Sequence, residues 1–204
     1  MGEHIHEFRS DLNPLNDTER ETRKRINNKM EDVSPEEYDA YAISRERDKI
    51  ANFSKEKLMS FLDEDKKYKG LELGSGTGIY TKELNQIPNL DLVGVEIGRD
   101  MIDYGLDRER FNKDQVVVGD FQNIPFDDDS FDLGTGLAIT RQREDISKFY
   151  SELKRVLKKN GIFFLPFIKA SEKIIEQESQ RIINGGLKIV EKGNWYILVG
   201  NNKE

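Results

Sequence analysis

A glycine-rich turn between a short apolar segment and a helical segment constrains this chain more than any other feature. Residues 71–78 read LELGSGTG and place three glycines at alternate positions. Glycine has no Cβ, so the backbone of such a turn can pass very close to a ligand. The helix that follows directs its unbonded N–H groups into the same space. The turn therefore predicts a ligand-binding site at the end of a strand.

Short apolar segments alternate with amphipathic ones from Tyr68 onwards. The predicted strands are 69–73, 90–95, 116–118, 131–135 and 162–168, and the predicted helices are 78–86, 100–104, 146–158 and 171–184. Such alternation is typical of βαβ units and of a parallel sheet with helices on both faces. Two last strands, 187–192 and 195–199, are separated only by Gly193-Asn194, which predicts an antiparallel hairpin. We expect an α/β fold with a mostly parallel sheet that ends in this hairpin.

Residues 1–34 are predicted to be a polar N-terminal extension of a domain formed by residues 35–204. The helical pattern within the extension has only Ile26 and Met30 on an apolar face. A helix this polar is weakly stabilised by packing. We therefore expect the extension to be mobile or to dock a protein partner through residues 17–32.

Composition excludes several classes of function. The chain has 204 residues, no cysteine and a net charge of −7. Disulfides, thiolate metal sites and cysteine nucleophiles are excluded, and an acidic chain is a poor candidate for wide nucleic-acid contact. His4 and His6 are the only histidines, and we expect no metal site. The sequence lacks an apolar run near the length of about 18 residues that spans a bilayer and lacks a secretion signal, so we predict a cytoplasmic protein without a membrane segment.

Spacing and charge indicate which ligand the turn binds. A dinucleotide fingerprint is G-x-G-x-x-G, but here the glycines follow G-x-G-x-G and Ile79 stands where a dinucleotide site needs its third glycine. Glu72 would repel a pyrophosphate and would suit an ammonium or sulfonium group. A nucleotide-dependent oxidoreductase is therefore disfavoured.

Acidic residues also follow the next two predicted strands. Glu96 comes 18 residues after Gly78, at a strand end where a carboxylate can accept hydrogen bonds from ribose hydroxyls. Asp120 follows the third strand and can accept from an adenine amino group, while the Phe121 N–H can donate to the ring. An aspartate in such a place is also common as a turn or helix-cap residue.

Together these segments resemble class I S-adenosylmethionine-dependent methyltransferases of the small-molecule type. The matching segments are 71–78, 93–96, 119–121, 124–126, 130–133 and 149–163. The resemblance implies a seven-stranded Rossmann-like sheet whose last strand is antiparallel. It also implies S-adenosylmethionine as the cofactor and methyl transfer to a small-molecule acceptor.

The resemblance further implies the residues that surround the cofactor. They would contact its methionine part, its ribose, its adenine and the point where its methyl group meets the acceptor. The residues at the methionine part would be Glu72, Gly74, Ser75, Gly76, Thr77 and Gly78. Glu96 would contact the ribose, and the adenine would be contacted by Ile97, Met101, Asp120 and Phe121. Leu137 would lie where the methyl group meets the acceptor. Tyr38 and Tyr41 fall where relatives fold an N-terminal helix over the cofactor, so we expect this helix to act as a lid.

The acceptor is not identified by the sequence. Residues 134–144 lack the Asn/Asp-Pro-Pro-aromatic motif of enzymes that methylate planar amino groups, and also the histidine-rich or aromatic turn common in quinone and sterol relatives. Arg141 and Arg143 would either bind an acidic substrate or lie in a solvated loop. No catalytic residue is assigned, because methyl transfer needs a general base only if the acceptor loses a proton. A non-catalytic cofactor-binding subunit remains the alternative function.

Overall fold

The computed structural model describes residues 34–44, 46–137, 139, 146–167 and 170–201. The strands are β1 (Tyr68–Leu73), β2 (Leu90–Glu96), β3 (Val116–Val118), β4 (Phe131–Thr135), β5 (Leu157–Pro166), β6 (Lys188–Lys192) and β7 (Tyr196–Gly200). The α-helices are α1 (Pro35–Ser44), α2 (Arg47–Met59), α3 (Ile79–Leu84), α4 (Arg99–Asp107), α5 (Ser147–Val156) and α6 (Glu172–Asn184). A single 3-10 turn covers Lys113–Gln115. Residues 1–33, Arg141 and Arg143 lie outside the described residues.

All seven strands form one sheet in the order β3-β2-β1-β4-β5-β7-β6. The pairs among β1 to β5 are parallel, and β7 is antiparallel to both β5 and β6. The predicted parallel sheet with a C-terminal antiparallel hairpin is therefore confirmed. Because β1 has β2 on one side and β4 on the other, the chain reverses its direction of winding at β1. Ligands of open α/β sheets bind beside the carboxyl ends of strands at such a point.

Helices cover both faces of the sheet, as predicted. One buried cluster joins the sheet to α5 and α6, with Phe149 and Ile182 among its fully buried members. The other joins it to α2 and α3 through Leu58 and Leu84. Neighbouring strand residues point to opposite faces, and the structure shows this in β5, where Phe163 and Phe164 belong to different clusters.

The start of α1 has the reciprocal hydrogen bonds of a capping box. The Glu37 N–H donates to Ser34 Oγ at 3.2 Å, and the Ser34 N–H donates to a Glu37 carboxylate oxygen at 2.9 Å. Each bond satisfies a backbone donor that has no partner within the helix. These bonds fix the point where α1 begins, just before the residues that approach the glycine loop.

The junction between α5 and β5 differs from the sequence prediction. The helix was predicted to run to residue 158, but it ends at Val156, and Leu157 already pairs with Phe131 in the sheet. The Asn201 side chain stabilises this early end, because its Nδ2 donates to the Leu157 carbonyl at 2.7 Å. The partner lies 44 residues away in sequence, so no local pattern indicated it.

The hairpin turn is shifted by one residue from its predicted place. The Gly193 N–H donates to the Tyr196 carbonyl at 3.0 Å, which puts Asn194 and Trp195 at the centre of the turn. Trp195 is 52% exposed. Its carbonyl accepts a hydrogen bond from the Phe167 N–H at 2.7 Å, so the turn lies at the edge of the sheet where β5 ends.

Candidate active site

The glycine loop joins β1 to α3 and folds over the carboxyl end of β2. Gly74, Gly76 and Gly78 all have positive φ, at 70°, 56° and 81°. Non-glycine residues rarely adopt this left-handed conformation. The Gly74 N–H donates to the Val95 carbonyl at 2.8 Å, which ties the loop to the neighbouring strand.

The third glycine is also required by packing. A Cβ built on Gly78 would lie 2.5 Å from the Phe111 ring, far inside contact distance. Phe111 follows α4 and is buried. The Phe111 ring therefore packs against the loop at Gly78 and leaves no room for a side chain there.

Glu96 stands at the end of β2 and binds the loop directly. Its two carboxylate oxygens accept hydrogen bonds from the Gly76 and Gly98 N–H groups, each at 2.8 Å. These bonds hold the carboxylate at the carboxyl end of β2, the position that the sequence predicts for a ribose contact. Glu96 thus has a structural role in the loop that the sequence analysis did not include.

Glu72 lies one residue before the end of β1, beside Gly94 of β2, and its surroundings differ. The side chain is 1% exposed, and its Oε2 has no hydrogen-bond partner among the described residues. Burial raises the pKa of Glu72 to about 8, and the negative charge of Glu96 adds to this effect. A cation that reached Glu72 would favour its ionised form and satisfy the bare oxygen.

Asp120 and Phe121 follow β3, as predicted, and form a turn. Asp120 Oδ1 accepts a hydrogen bond from the Gln122 N–H at 2.8 Å, which is the turn role that the sequence analysis had left open. The Phe121 ring packs edge-on against Phe149, with 5.7 Å between the ring centroids. Arg155 on α5 supports the following segment by donating to backbone carbonyls of residues 124 and 126.

The remaining predicted cofactor residues lie around the same end of the sheet. Ile97 and Met101 are partly buried where β2 leads into α4. Leu137, just beyond β4, lines a cavity together with Tyr38 and Gly74. Ser75 and Thr77 line this cavity too, so the structure brings the loop and the end of β4 to one space.

Tyr38 on α1 lies directly against the glycine loop. A Cβ on Gly76 would be 3.3 Å from the Tyr38 hydroxyl, and burial raises the pKa of that hydroxyl, with the charges of Glu96 and Glu72 acting in the same direction. Tyr41 is 43% exposed on the same helix. Of the two predicted lid tyrosines, only Tyr38 is placed among the residues that line the cavity described above.

A buried polar cluster connects α1 to the loop, and the sequence analysis missed it. Thr77 Oγ1 donates to Asp39 at 2.5 Å, and the Arg110 guanidinium binds both Asp39 carboxylate oxygens at 3.0 and 2.5 Å. Arg110 also donates to the Thr77 carbonyl at 3.0 Å. Asp39 is 6% exposed. The cluster therefore joins three segments that are distant in sequence.

Arg47, at the first turn of α2, is a second residue that sequence analysis missed. Its guanidinium donates to the Tyr38 hydroxyl and lies 5.0 Å from the centroid of that ring. Arg47 lines the same cavity as Leu137 and Gly74. Nothing in the polar pattern around residue 47 distinguishes it from the exposed charges beside it.

The described part of the chain lacks two features, a cluster of metal-ligating side chains and a membrane-spanning helix. No group of three or more potential metal-ligating side chains occurs among those residues. No helix within them is long and apolar enough to cross a membrane.

Comparison with known proteins identifies this arrangement. Residues 71–165, which run from β1 to the end of β5, match the family model described as a methyltransferase domain. The chain is therefore similar to methyltransferase domains over that part of its length. The sheet order with its antiparallel hairpin agrees with that similarity.

Curated relatives of this methyltransferase domain share about a third of its residues over the matched part. Sterol 24-C-methyltransferase of Schizosaccharomyces pombe is 31% identical over 97 residues, which are 46% of this chain and 26% of that protein. Demethylmenaquinone methyltransferase of Roseiflexus castenholzii is 35% identical over 94 residues, which are 46% of this chain and 40% of that protein. The alignments thus span well under half of the length of these two relatives.

A solved structure extends the similarity of the methyltransferase domain to the fold. A proposed S-adenosyl-L-methionine-dependent methyltransferase of Methanococcus maripaludis superposes with a TM-score of 0.70. The superposition covers 83% of this chain and 92% of that one at 15% sequence identity, a level that supports the shared fold alone.

The polar groups of the site fit the cofactor of this domain class. S-adenosylmethionine carries a sulfonium and an ammonium group, and Glu72 offers a buried carboxylate oxygen without a partner. The left-handed glycines add no side chains of their own to the loop beside Glu72. Glu96 lies at the end of the next strand, bonded to the N–H of Gly76 within the loop.

Proposed function

We propose that this protein transfers a methyl group from S-adenosylmethionine to a small-molecule acceptor. The observation that carries the proposal is the pair of strand-end glutamates beside the glycine loop. Glu96 is already bonded to the loop, and Glu72 is buried with an unpartnered oxygen. This arrangement suits a ligand with hydroxyl groups at one end and a cation at the other.

The proposed positions along the cofactor follow from the strand ends. The methionine part would lie against Glu72 and residues 74–78, and the ribose against Glu96. The adenine would lie between Ile97 and Met101, with residues 120–121 at its edge. Leu137 would adjoin the methyl group. These assignments are proposals for individual residues that binding measurements on variants can test.

Alignment and exclusion of water would be the main contributions of the protein. The cofactor supplies an activated methyl group, which an acceptor atom displaces in line from sulfur. Holding two reactants in that alignment can contribute about 7–11 kcal/mol to lowering the barrier. Tyr38 and Arg47, which lie over the loop, would restrict water at the reacting centre. No general base is required when the acceptor atom has a free lone pair.

The acceptor class rests on the relatives and on the cavity lining. The names of two relatives refer to a sterol and to demethylmenaquinone, both small molecules with large apolar bodies. In this chain the cavity near Leu137 is also lined by Ala42 and Tyr80, which are apolar or aromatic. We propose a small-molecule acceptor, without extending the named substrates to this protein. Docking of a protein partner through residues 17–32 and a cytoplasmic location stay predictions from the sequence.

Titration calorimetry tests the cofactor assignment. We expect S-adenosylmethionine and S-adenosylhomocysteine to bind and NAD not to bind. Binding of NAD with no binding of the other two would overturn the assignment.

A transfer assay separates the enzyme from the alternative of a non-catalytic subunit. The protein is incubated with S-adenosylmethionine labelled in its methyl group and with a small-molecule fraction of cell extract. Appearance of label in an extractable product supports catalysis. Tight cofactor binding without transfer to any fraction would favour the non-catalytic subunit.

A further inference from the structure

Arg47 is bonded differently from the other largely buried arginines of the described structure. Arg110 binds the Asp39 carboxylate through two nitrogens, and Arg155 binds Glu152 and Asp128. Arg47 has no carboxylate within ion-pair distance among the described residues, and its single hydrogen bond goes to the Tyr38 hydroxyl. The site therefore contains a guanidinium that makes no direct ion pair with any described residue.

Two tyrosine rings hold the Arg47 guanidinium in place. Tyr38 and Tyr41 present their rings to the guanidinium, with centroids 5.0 and 5.6 Å from its central carbon. Such contacts orient a cation without neutralising it. Burial raises the pKa of Tyr38, so its hydroxyl stays neutral at physiological pH and is not a counter-ion. Arg47 is thus positioned for an anion that the described residues do not provide at ion-pair distance.

The donors that remain have a definite geometry. Arg47 Nη1 makes the bond to Tyr38, and Nε is buried without an acceptor. A buried donor left without a partner costs about 1–3 kcal/mol. Nε and Nη2 lie along one edge of the guanidinium, and this edge matches the two oxygens of a carboxylate.

We propose that Arg47 is the carboxylate-binding residue of the cavity between α1 and the glycine loop. The inference rests on the proposed function, because the carboxylate would belong to one of the two reactants. It would come either from the amino-acid end of the cofactor or from an acidic acceptor. Glu72 lies at the same loop, so a ligand with an ammonium and a carboxylate group would meet a partner for each.

Calorimetry with two probes tests this inference and identifies the source of the carboxylate. S-adenosylhomocysteine carries the amino-acid carboxylate, and methylthioadenosine lacks the amino-acid group altogether. If the cofactor is the source, Arg47→Gln weakens S-adenosylhomocysteine binding by roughly tenfold or more and leaves methylthioadenosine binding unchanged. Arg47→Lys keeps the charge but loses the planar fork, and it should give a smaller loss.

If the acceptor is the source, Arg47→Gln binds both probes as the wild type does. In the transfer assay, the variant then labels fewer of the acidic products, which an anion exchanger retains, and labels all other products as the wild type does. Arg108→Gln is the matched control, because Arg108 also stacks on a tyrosine, with its guanidinium 3.3 Å from the Tyr104 ring centroid. It should behave as wild type with both probes and in the transfer assay.

Three results would count against the role of Arg47. Equal weakening of both probes would indicate general damage to the site. Wild-type binding together with wild-type labelling of acidic products would show that Arg47 binds no carboxylate. Circular dichroism shows whether Arg47→Gln folds. If it does not, Arg47→Lys is the test: wild-type binding of both probes and wild-type labelling by that variant would show that the planar guanidinium is not needed. Failure of the wild type to bind either probe would instead refute the proposed function itself.

Discussion

The loops that follow β1 and β4 lie at the same edge of the sheet but are determined in different ways. The loop after β1 is held by the backbone of Val95, the carboxylate of Glu96, the ring of Phe111 and the cluster around Asp39. The described part of the loop after β4 contributes apolar contacts, such as that of Ile139, whose Cγ2 would lie 3.1 Å from a Cβ on Gly74.

This difference separates the two halves of the proposed reaction. The half that would bind the cofactor is fixed by many specific contacts, so single substitutions there should have large effects. The half that would bind the acceptor is shaped by apolar side chains that can be exchanged with less loss. We therefore expect one cofactor geometry to be compatible with many acceptors.

The largest effect is expected at the third glycine. Gly78→Ala should lower the free energy of unfolding by about 2–4 kcal/mol, because it combines a positive φ with a 2.5 Å approach to Phe111. Gly186→Ala is the control, since its φ is 77° but its Cβ would meet only the end of Lys154 at 3.3 Å. Chemical denaturation measures both, and equal losses would show that Phe111 does not constrain the loop.

The second effect concerns pH and Glu72. An unfolded glutamate ionises near pH 4.5, whereas folded Glu72 remains protonated up to about pH 8. The native state therefore binds more protons between these values, and stability should fall as pH rises through this window, by at most about 1.4 kcal/mol per pH unit. Urea denaturation of wild type and Glu72→Gln from pH 5 to pH 8 should show a flatter dependence in the variant. Exposed Glu64→Gln should retain the wild-type slope, and a variant curve parallel to wild type would refute the assignment.

The third effect is on cofactor affinity. Glu96→Ala removes the acceptor of two backbone N–H groups and the proposed ribose contact. Calorimetry with S-adenosylmethionine should show at least about tenfold weaker binding, or about 1.4 kcal/mol. Asp91→Ala, at the opposite end of β2, should bind as wild type does. Unchanged affinity in Glu96→Ala would remove Glu96 from the site.

The smallest effect is expected at the lid. Asp39→Asn keeps the size of the side chain but removes the charge that pairs with Arg110, so the bonds of residue 39 to Thr77 and Arg110 weaken. Hydrogen exchange in residues 34–44 should become faster, and S-adenosylhomocysteine should restore part of the protection. Glu36→Gln, on the exposed side of α1, serves as the control. If the ligand left exchange in residues 17–45 of the wild type unchanged, α1 would not act as a lid.

Local patterns predicted most of the fold. The bounds of β3 and β4 agree with the sequence prediction residue for residue, because each strand is a short apolar run between turn signals. The end of α5 was wrong, because Asn201 completes the helix terminus from the far end of the chain. The turn of the hairpin was misplaced by one residue, because no sequence signal favours Trp195 over Gly193 at its centre.

The site was predictable only where it lies on strand ends. Glu72 and Glu96 follow from the strand pattern, because neighbouring parallel strands end at the same edge of a sheet. Asp39, Arg110 and Arg47 were missed, since their roles depend on how α1 and the segment after α4 fold onto the loop. No periodicity in the sequence encodes that contact.

Trp195 gives this protein an internal optical reporter. It is the only tryptophan in the chain. It is half exposed in the turn between β6 and β7, hydrogen-bonded to Phe167 just beyond β5. The wavelength and quenching of its fluorescence therefore describe one position, at the same edge of the sheet as the glycine loop. Rearrangement of that edge when a ligand binds can be followed in the unlabelled wild-type protein, with no mixture of signals to separate.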